Sequence, residues 1–296
     1  MRERMNCLEW EHVWARYGRP WALKDLSLAV EPGCLLAVMG LAGAGKSTLL
    51  RVASGGLRVG SGGVWVDGRS AGKDPRAVIA HTRALPDRLC VNKAVGLRVA
   101  LHAWGLDAYR EHRVGTLPAS VRARVALAAG WAGQGKVWLL DDPTALLEPA
   151  WQEALPDLLR AWLKREGGCV VAATHDPGLG VVADRVAILS KGNLVALDTS
   201  AALLAACACE EVVVRTVDAE RVACALYENL HLEAERLKDG LRIRVRSAEA
   251  ALPGILQTLG PRIETVWIRK PTLRDAVRHF SSLPVAPDAP NRPQKR

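Results

Sequence analysis

The stretch that most limits what this chain can become is Cys34-Leu35-Leu36-Ala37-Val38-Met39-Gly40-Leu41-Ala42-Gly43-Ala44-Gly45-Lys46-Ser47-Thr48-Leu49-Leu50. An apolar run suited to a buried strand enters Gly40, a glycine-rich loop follows, and an apolar helix begins behind it. The loop fits the spacing G-x-x-x-x-G-K-[ST] at Gly40, Gly45, Lys46 and Ser47. Glycines let the backbone curl until consecutive N–H groups face one anion, and the helix N-terminus adds its partial positive charge. Lys46 is long enough to reach outer phosphates, and Ser47 offers a hydroxyl to Mg²⁺. Leu41, Ala42, Gly43, Ala44 and Thr48 complete the cradle, a Walker A loop. Both flanking elements are present, which separates it from a chance glycine-rich turn.

At roughly 100–200 residues per domain, 296 residues suffice for two domains, each with its own core. The charged start Met1-Arg2-Glu3-Arg4-Met5-Asn6 leads into no apolar run, so neither a signal peptide nor a transit peptide is expected. No apolar stretch approaches the roughly 18 residues needed to span a bilayer, and the candidate from Leu194 to Cys209 is broken by Asp198, Thr199 and Ser200. The expectation is a soluble, cytoplasmic chain. Seven cysteines lie mostly in apolar segments without paired metal-like spacing, which favours reduced thiols. Cys207-Ala208-Cys209 is the close pair, read as helix packing ahead of metal binding. The net charge of +9 admits nucleic acid or anionic lipid as partners. The basic residues are dispersed, however, which fits a solvated surface near membrane lipid better than a nucleic-acid site.

Ahead of the loop, residues 7 to 33 read as an antiparallel pair, with Leu26 to Val30 alternating at period two and Tyr17 in Arg16-Tyr17-Gly18 nearby. Gly62 to Gly68 is a short strand and turn, and residues 88 to 130 are mainly helical by periodicity. Val137-Trp138-Leu139-Leu140-Asp141-Asp142-Pro143-Thr144 is a buried strand delivering two acids at its C-terminal end, where a parallel sheet keeps its ligands. A helix from about Pro149 to Arg165 and a second buried strand, Cys169 to Thr174 with His175 and Asp176 at its tip, complete the alternation of a doubly wound α/β core.

Tyrosine, Walker A loop, apolar strand with Asp-Asp-Pro-Thr and then Thr-His-Asp, in that order, resemble the ATP-binding subunit of an ABC transporter. The resemblance spans residues 7 to about 205. It implies a P-loop NTPase of the ABC type, with an antiparallel β-subdomain and a short helical subdomain. It further implies that Tyr17 stacks on adenine, that Asp141 holds Mg²⁺ with Ser47, and that His175 senses the γ-phosphate. Asp142 takes the place of the glutamate that polarises the attacking water, one methylene shorter. Where the family has Leu-Ser-Gly-Gly-Gln, this chain has Leu117-Pro118-Ala119-Ser120-Val121, followed by a matching Arg122-Ala123-Arg124-Val125-Ala126-Leu127-Ala128. A hydroxyl, one N–H and both glycines are thereby lost. The family's glutamine near residue 81 is absent, with His81 as the closest occupant. Glu148 replaces the aspartate that usually follows Leu147, and the helical subdomain is short between Gly105 and Leu117.

Asp184 to Ala196 is a hairpin that closes the ATP-binding domain, placed at 1–205, and a helix from about Ser200 to Cys209 leads onward. Strand, helix, hairpin, helix and strand follow over 211–281, a small α+β domain in ferredoxin-like order. With its Lys270-Pro271-Thr272-Leu273-Arg274-Asp275 ending, it resembles the accessory domain of ABC-2 type drug, antibiotic and polysaccharide exporters. The Pro-rich residues 282–296 read as a disordered tail. The functional expectation is an ATPase subunit, binding ATP and Mg²⁺, that pairs with itself or another ABC ATPase on the inner face of the membrane and drives a separate permease, in the direction of efflux. A regulatory subunit with little hydrolysis and a ribosome- or DNA-associated ABC protein are the alternatives.

Overall fold

The computed structural model describes residues 6–70, 78–80, 95–133, 135–207, 210–216, 218–260 and 264–283, with the backbone alone for 78–80 and 95–98. The chain divides into two units, one running through Ser200 and resuming at Val277, the other Ala201–Ala276.

In the first unit, β1 (Leu8–Ala15) and β2 (Leu23–Val30) pair antiparallel and precede β3 (Leu35–Gly40) and α1 (Lys46–Ala53). Then come β4 (Ser61–Val66), β5 (Arg69–Ser70), β6 (Val78–Ala80), α2 (Val95–Ala103), α3 (Ala119–Ala132), β7 (Val137–Asp141), α4 (Pro149–Glu166), β8 (Cys169–Ala173), α5 (Pro177–Val182), β9 (Arg185–Ser190) and β10 (Asn193–Asp198). Two sheets result, one ordered β2-β1-β4-β5 and one ordered β10-β9-β3-β8-β7-β6. In the larger sheet β3, β6, β7, β8 and β9 run parallel. Parallel strands covered on both faces should be apolar throughout, and β3 and β8 are buried at every position. Four tryptophans, Trp10, Trp104, Trp138 and Trp162, are fully buried, and Trp138 lies 5.4 Å from Trp162 between ring centroids.

A loop that follows β7 is held by α4. The Gln152 amide donates to Thr144 O at 3.2 Å and Leu147 O at 2.9 Å, so residues 144–147 are pinned from within the same helix they introduce. The region between α2 and α3 contains two short 3₁₀ turns, Asp107–Tyr109 and Val114–Thr116. Buried Arg124 stabilises it, donating to Trp104 O at 3.3 Å and lying 4.8 Å above the Trp151 ring.

The second unit begins in α6 (Ser200–Ala206) and continues with β11 (Glu210–Arg215), α7 (Ala219–Leu230), β12 (Ala234–Leu237), β13 (Gly240–Val245), α8 (Ala248–Leu259), β14 (Thr265–Arg269) and the start of α9 (Leu273–Ser282). Its sheet is antiparallel in the order β12-β13-β11-β14. Val212, Val214, Leu241 and Ile243 from the strands pack with Val222, Leu226, Ile255 and Leu259 from α7 and α8. Helix α8 begins at Ser247, whose hydroxyl accepts from Ala250 N, and α7 follows Asp218, which makes no side-chain cap.

Three expectations need amendment or fall elsewhere. Ser282 belongs to α9 and not to the tail, since the helix is long enough for Ser282 Oγ to donate back to His279 O at 2.7 Å. The remainder of the expected tail, 284–296, lies outside the described residues, as do His81 and Cys209. Cys207 is buried, with its thiol donating to Leu203 O one turn back.

Candidate functional site

Strand register brings the site together. Val38 of β3 lies beside Ala173 of β8, and Ala173 lies beside Asp141 of β7. The loop after Gly40, the acids after Leu140 and the residues after Ala173 therefore leave the sheet at neighbouring points of one edge. Two bonds across the strand ends fix this alignment, Thr174 N to Val38 O at 3.0 Å and Asp142 N to Ala173 O at 2.7 Å. The result is a cleft of about 390 Å³ lined by Ala42 to Thr48, Asp141, Asp142, His175 and the backbone-rich Ala22, Ala173 and Thr174.

The loop needs glycine at defined places. Gly40 has φ 154, and a Cβ there would lie 2.4 Å from Leu189 O; Gly45 has φ 107, and its Cβ would lie 2.7 Å from Ala22 O. Gly43, at φ 76, faces open space instead, so its requirement is conformational alone. Gly45 also stands at the N-cap of α1 with no side chain capping the helix and no acid in the first turn. Uncapped N–H groups at a helix N-terminus, beside a glycine loop, fit a phosphate group.

Lys46 is 8% exposed, and its ammonium donates to Gly40 O at 2.9 Å and Leu41 O at 3.1 Å. The side chain arches over the loop and holds it curled before any anion arrives. Burial lowers the Lys46 pKa, with Asp142 and Asp141 pulling in the opposite sense. Ser47 Oγ donates to Asp141 Oδ1 at 3.0 Å. Two oxygens held this close can converge on a hard divalent ion, and Mg²⁺ takes its other ligands from water and phosphate. Among the described residues no group of three or more His, Cys, Asp or Glu capable of holding a metal occurs.

Asp142 is half-exposed at φ 49, and its carbonyl accepts from Ala145 N at 3.2 Å. A left-handed backbone suits the short aspartate side chain, which gives a local reason for Asp in this turn. His175 is exposed at the mouth, ahead of an Asp176 whose carboxylate caps α5 at Gly178 N, 2.8 Å away.

Tyr17 stands apart from the cleft lining. It is 58% exposed, its hydroxyl accepts from Arg51 Nη1 at 3.2 Å, and the guanidinium lies 5.6 Å from the ring centroid. Arg51 follows Ser47 by four residues, so both lie on one face of α1 and Tyr17 is displaced one turn along the helix from the phosphate loop. The i, i+4 spacing was the signal by which Arg51 could have been found from sequence. The contact between Ser120 and Glu148, by contrast, had no sequence signal: the Ser120 hydroxyl donates to Glu148 Oε1 at 2.9 Å, across 28 positions.

A family model described as ABC transporter matches residues 23–145. The chain is 31% identical over 223 residues to the hemin import ATP-binding protein HmuV of Methylobacillus flagellatus, spanning 64% of this chain and 83% of that one. It is 36% identical over 187 residues to the cytochrome c biogenesis ATP-binding export protein CcmA of Rhizobium meliloti, spanning 56% of this chain and 90% of that one. Among solved structures it resembles cbiO1 from Clostridium perfringens, with a TM-score of 0.58 at 22% identity over 77% of this chain and 97% of that one. A dimeric ATP-binding cassette bound to ADP and Pi gives 0.59 at 22% identity, over 65% of this chain and 98% of that one. The two structural likenesses bear on the fold.

Proposed function

This chain belongs to the ATP-binding proteins of ABC transporters, and from that premise we propose that it is an energy-coupling ATPase subunit that drives a separate membrane permease. The observation that carries the proposal is the convergence of the phosphate loop, Asp141, Asp142 and His175 on one cleft at one sheet edge. In this reading the backbone of Gly40 to Thr48 and the Lys46 ammonium hold the phosphates of ATP. Ser47 and Asp141 would hold Mg²⁺, which when bound would neutralise phosphate charge. Asp142 orients the attacking water, His175 contacts the γ-phosphate, and Tyr17 stacks on adenine. No helix among the described residues is long and apolar enough to cross a membrane, in keeping with a peripheral subunit that needs a membrane-spanning partner.

Export is the finer proposal, and it rests on the strand and helix order of the second unit, which resembles the accessory domain of ABC-2 exporters. The relatives' names include both import and export, and their matches cover 64% and 56% of this chain. Cargo selection resides in the permease. Affinity purification of the full chain from membranes, with calorimetry against Mg·ATP, tests the main reading. Absence of both nucleotide binding and a polytopic membrane partner would sink it; a partner whose vesicles load cargo only from the side opposite the ATPase would overturn export.

A second reading has its own support. At the start of α3 the N-cap is Pro118, which has no N–H, and the Ser120 hydroxyl is engaged by Glu148. A subunit built this way binds ATP and hydrolyses it slowly, acting as a regulatory partner. Steady-state ATPase measurement on the isolated chain separates the two readings.

A further inference from the structure

The two edges of the second unit's sheet are built to opposite rules. Strand β12 is four residues long and carries Glu235 and Arg236 at its centre, both exposed. Short length and central charge are the usual protection of an edge. Strand β14, Thr265-Val266-Trp267-Ile268-Arg269, carries no proline, no lysine and no bulge in its register with β11, and four of its five residues are strong strand formers. Trp267 is 50% exposed and Ile268 38% exposed, the two largest apolar side chains of the strand. Pairing with β11 satisfies one side of β14; among the described residues no strand pairs with its other side, to which half of its backbone groups point.

We propose that β14 pairs antiparallel with β14 of a second copy of this chain, joining two four-stranded sheets into one across a two-fold axis at Trp267. Symmetry selects the register. Residues facing each other in an antiparallel pair point to the same side of the sheet, so the axis must pass through a residue and not between two. Placed at Trp267, it pairs all five residues: Thr265 with Arg269 of the second copy, Val266 with Ile268, and Trp267 with itself. The flanking positions then match in charge, because Glu264 lies opposite Lys270, twice over by symmetry, and both residues are exposed. An axis at Val266 or Ile268 loses that pairing, setting Glu264 opposite Ile268 or Lys270 opposite Val266. The occupant that fits a β-forming edge ended by one acid and one base is therefore the same segment in reverse. Glu264 also contacts Arg215 within its own chain, at 3.7 Å, which orients the carboxylate without neutralising Lys270 of the other copy.

This association does not involve nucleotide, which distinguishes it from pairing around ATP. The test is sedimentation velocity on the full chain in EDTA without nucleotide, for wild type and Lys46→Ala alike. Both should show the same concentration-dependent monomer–dimer equilibrium. Trp267→Asp should leave a folded monomer by circular dichroism and thermal melting. Glu264→Lys and Lys270→Glu should each weaken the dimer by about tenfold, because each change places like charges opposite one another at two symmetric positions. The double exchange should restore it to within about twofold of wild type. A wild-type chain that stays monomeric at about 100 μM, or a double exchange no tighter than either single change, overturns the proposal. A dimer that forms only with Mg·ATP and fails in Lys46→Ala also overturns it, while leaving the nucleotide-site reading intact.

Discussion

The N-termini of α1 and α3 follow the two loops that the family resemblance singles out, residues 40–47 and 117–121, and they are built in opposite ways. At α1 the capping residue is Gly45 at φ 107; at α3 it is Pro118 at φ −56 and ψ 154. Neither helix has an acid in its first turn or a side chain capping it, so both keep the favourable end of the helix dipole. What differs is the backbone in front. Before α1, left-handed glycines curl the chain around a point; before α3, a proline removes one N–H and extends the chain away. In the proposed reading a helix N-terminus alone does not make the anion site; backbone freedom ahead of the helix does, and only one of the two starts has it.

Restoring that freedom at α3 should produce the largest change. The triple substitution Pro118→Ser, Ala119→Gly and Ser120→Gly, combined with Asp142→Glu, should raise kcat by about a hundredfold over wild type, because groups that act as a unit are non-additive and a displacement of about 1 Å carries a cost of that order. Each half alone should gain far less. The acid repair meets a local obstacle, since position 142 sits at φ 49, where glutamate is less at ease than aspartate. Thermal melting must therefore accompany the rates. A wild-type kcat of about 1 s⁻¹ or more would show that the two helix starts do not differ in function.

Next in size is the loss at the intact helix start. Lys46→Ala removes a buried ammonium bonded to Gly40 O and Leu41 O, together with its proposed contact to the outer phosphates. Charge-assisted bonds contribute about 1.5–3 kcal/mol each, so affinity for Mg·ATP should fall by roughly tenfold to a hundredfold. Calorimetry reads this directly, and unchanged affinity removes the cleft from consideration as the phosphate site.

A smaller effect belongs to Tyr17, set one helical turn from the loop. Base stacking on an aromatic ring contributes about 1–3 kcal/mol in nucleic-acid systems, and an exposed ring falls at the low end. Tyr17→Ala should weaken ATP by about fivefold to tenfold, while Tyr17→Trp should preserve binding. The same variants should shift triphosphate alone very little, since inorganic triphosphate has no base to stack. Equal affinities for the alanine and tryptophan variants would leave Tyr17 as a surface residue tied to Arg51.

The asymmetry between the two helix starts also explains what could be read from the chain beforehand. Local pattern sufficed for β3, α1, β7 and β8, because a buried apolar strand ending in Gly40, Asp141 or Ala173 has little alternative under parallel pairing. The convergence of those ends followed from topology. Helix α5 is not legible from periodicity because six residues with two glycines, Pro177–Val182, give no periodic signal, although Asp176 followed by Pro177 marks a helix start. Long-range side-chain contacts were not legible at all. Ser120 with Glu148 and Arg124 over Trp151 depend on how segments of different origin meet, which sequence spacing does not encode.

The smallest effect tests whether the contact between Ser120 and Glu148 belongs to the difference between the helix starts or is incidental to it. Both residues stand where the family pattern has something else, glycine and aspartate, and they bond to each other at 2.9 Å. Ser120 is half-buried and Glu148 exposed, so water competes for the bond and its direct contribution to stability is small. Ser120→Ala and Glu148→Gln should each change kcat and ATP affinity by about twofold to threefold. If the bond ties α3 to the loop pinned by Gln152, the double variant should resemble either single variant. Full additivity would instead make the two substitutions independent. The outcome bears on the loop repair, because Ser120→Gly removes the same bond. With coupling present, the repaired chain should improve further when Glu148→Asp is added, since a longer acid that has lost its partner is free to crowd the rebuilt loop. Adding Glu148→Asp without any gain would place the whole deficit of α3 in the missing N–H and glycines.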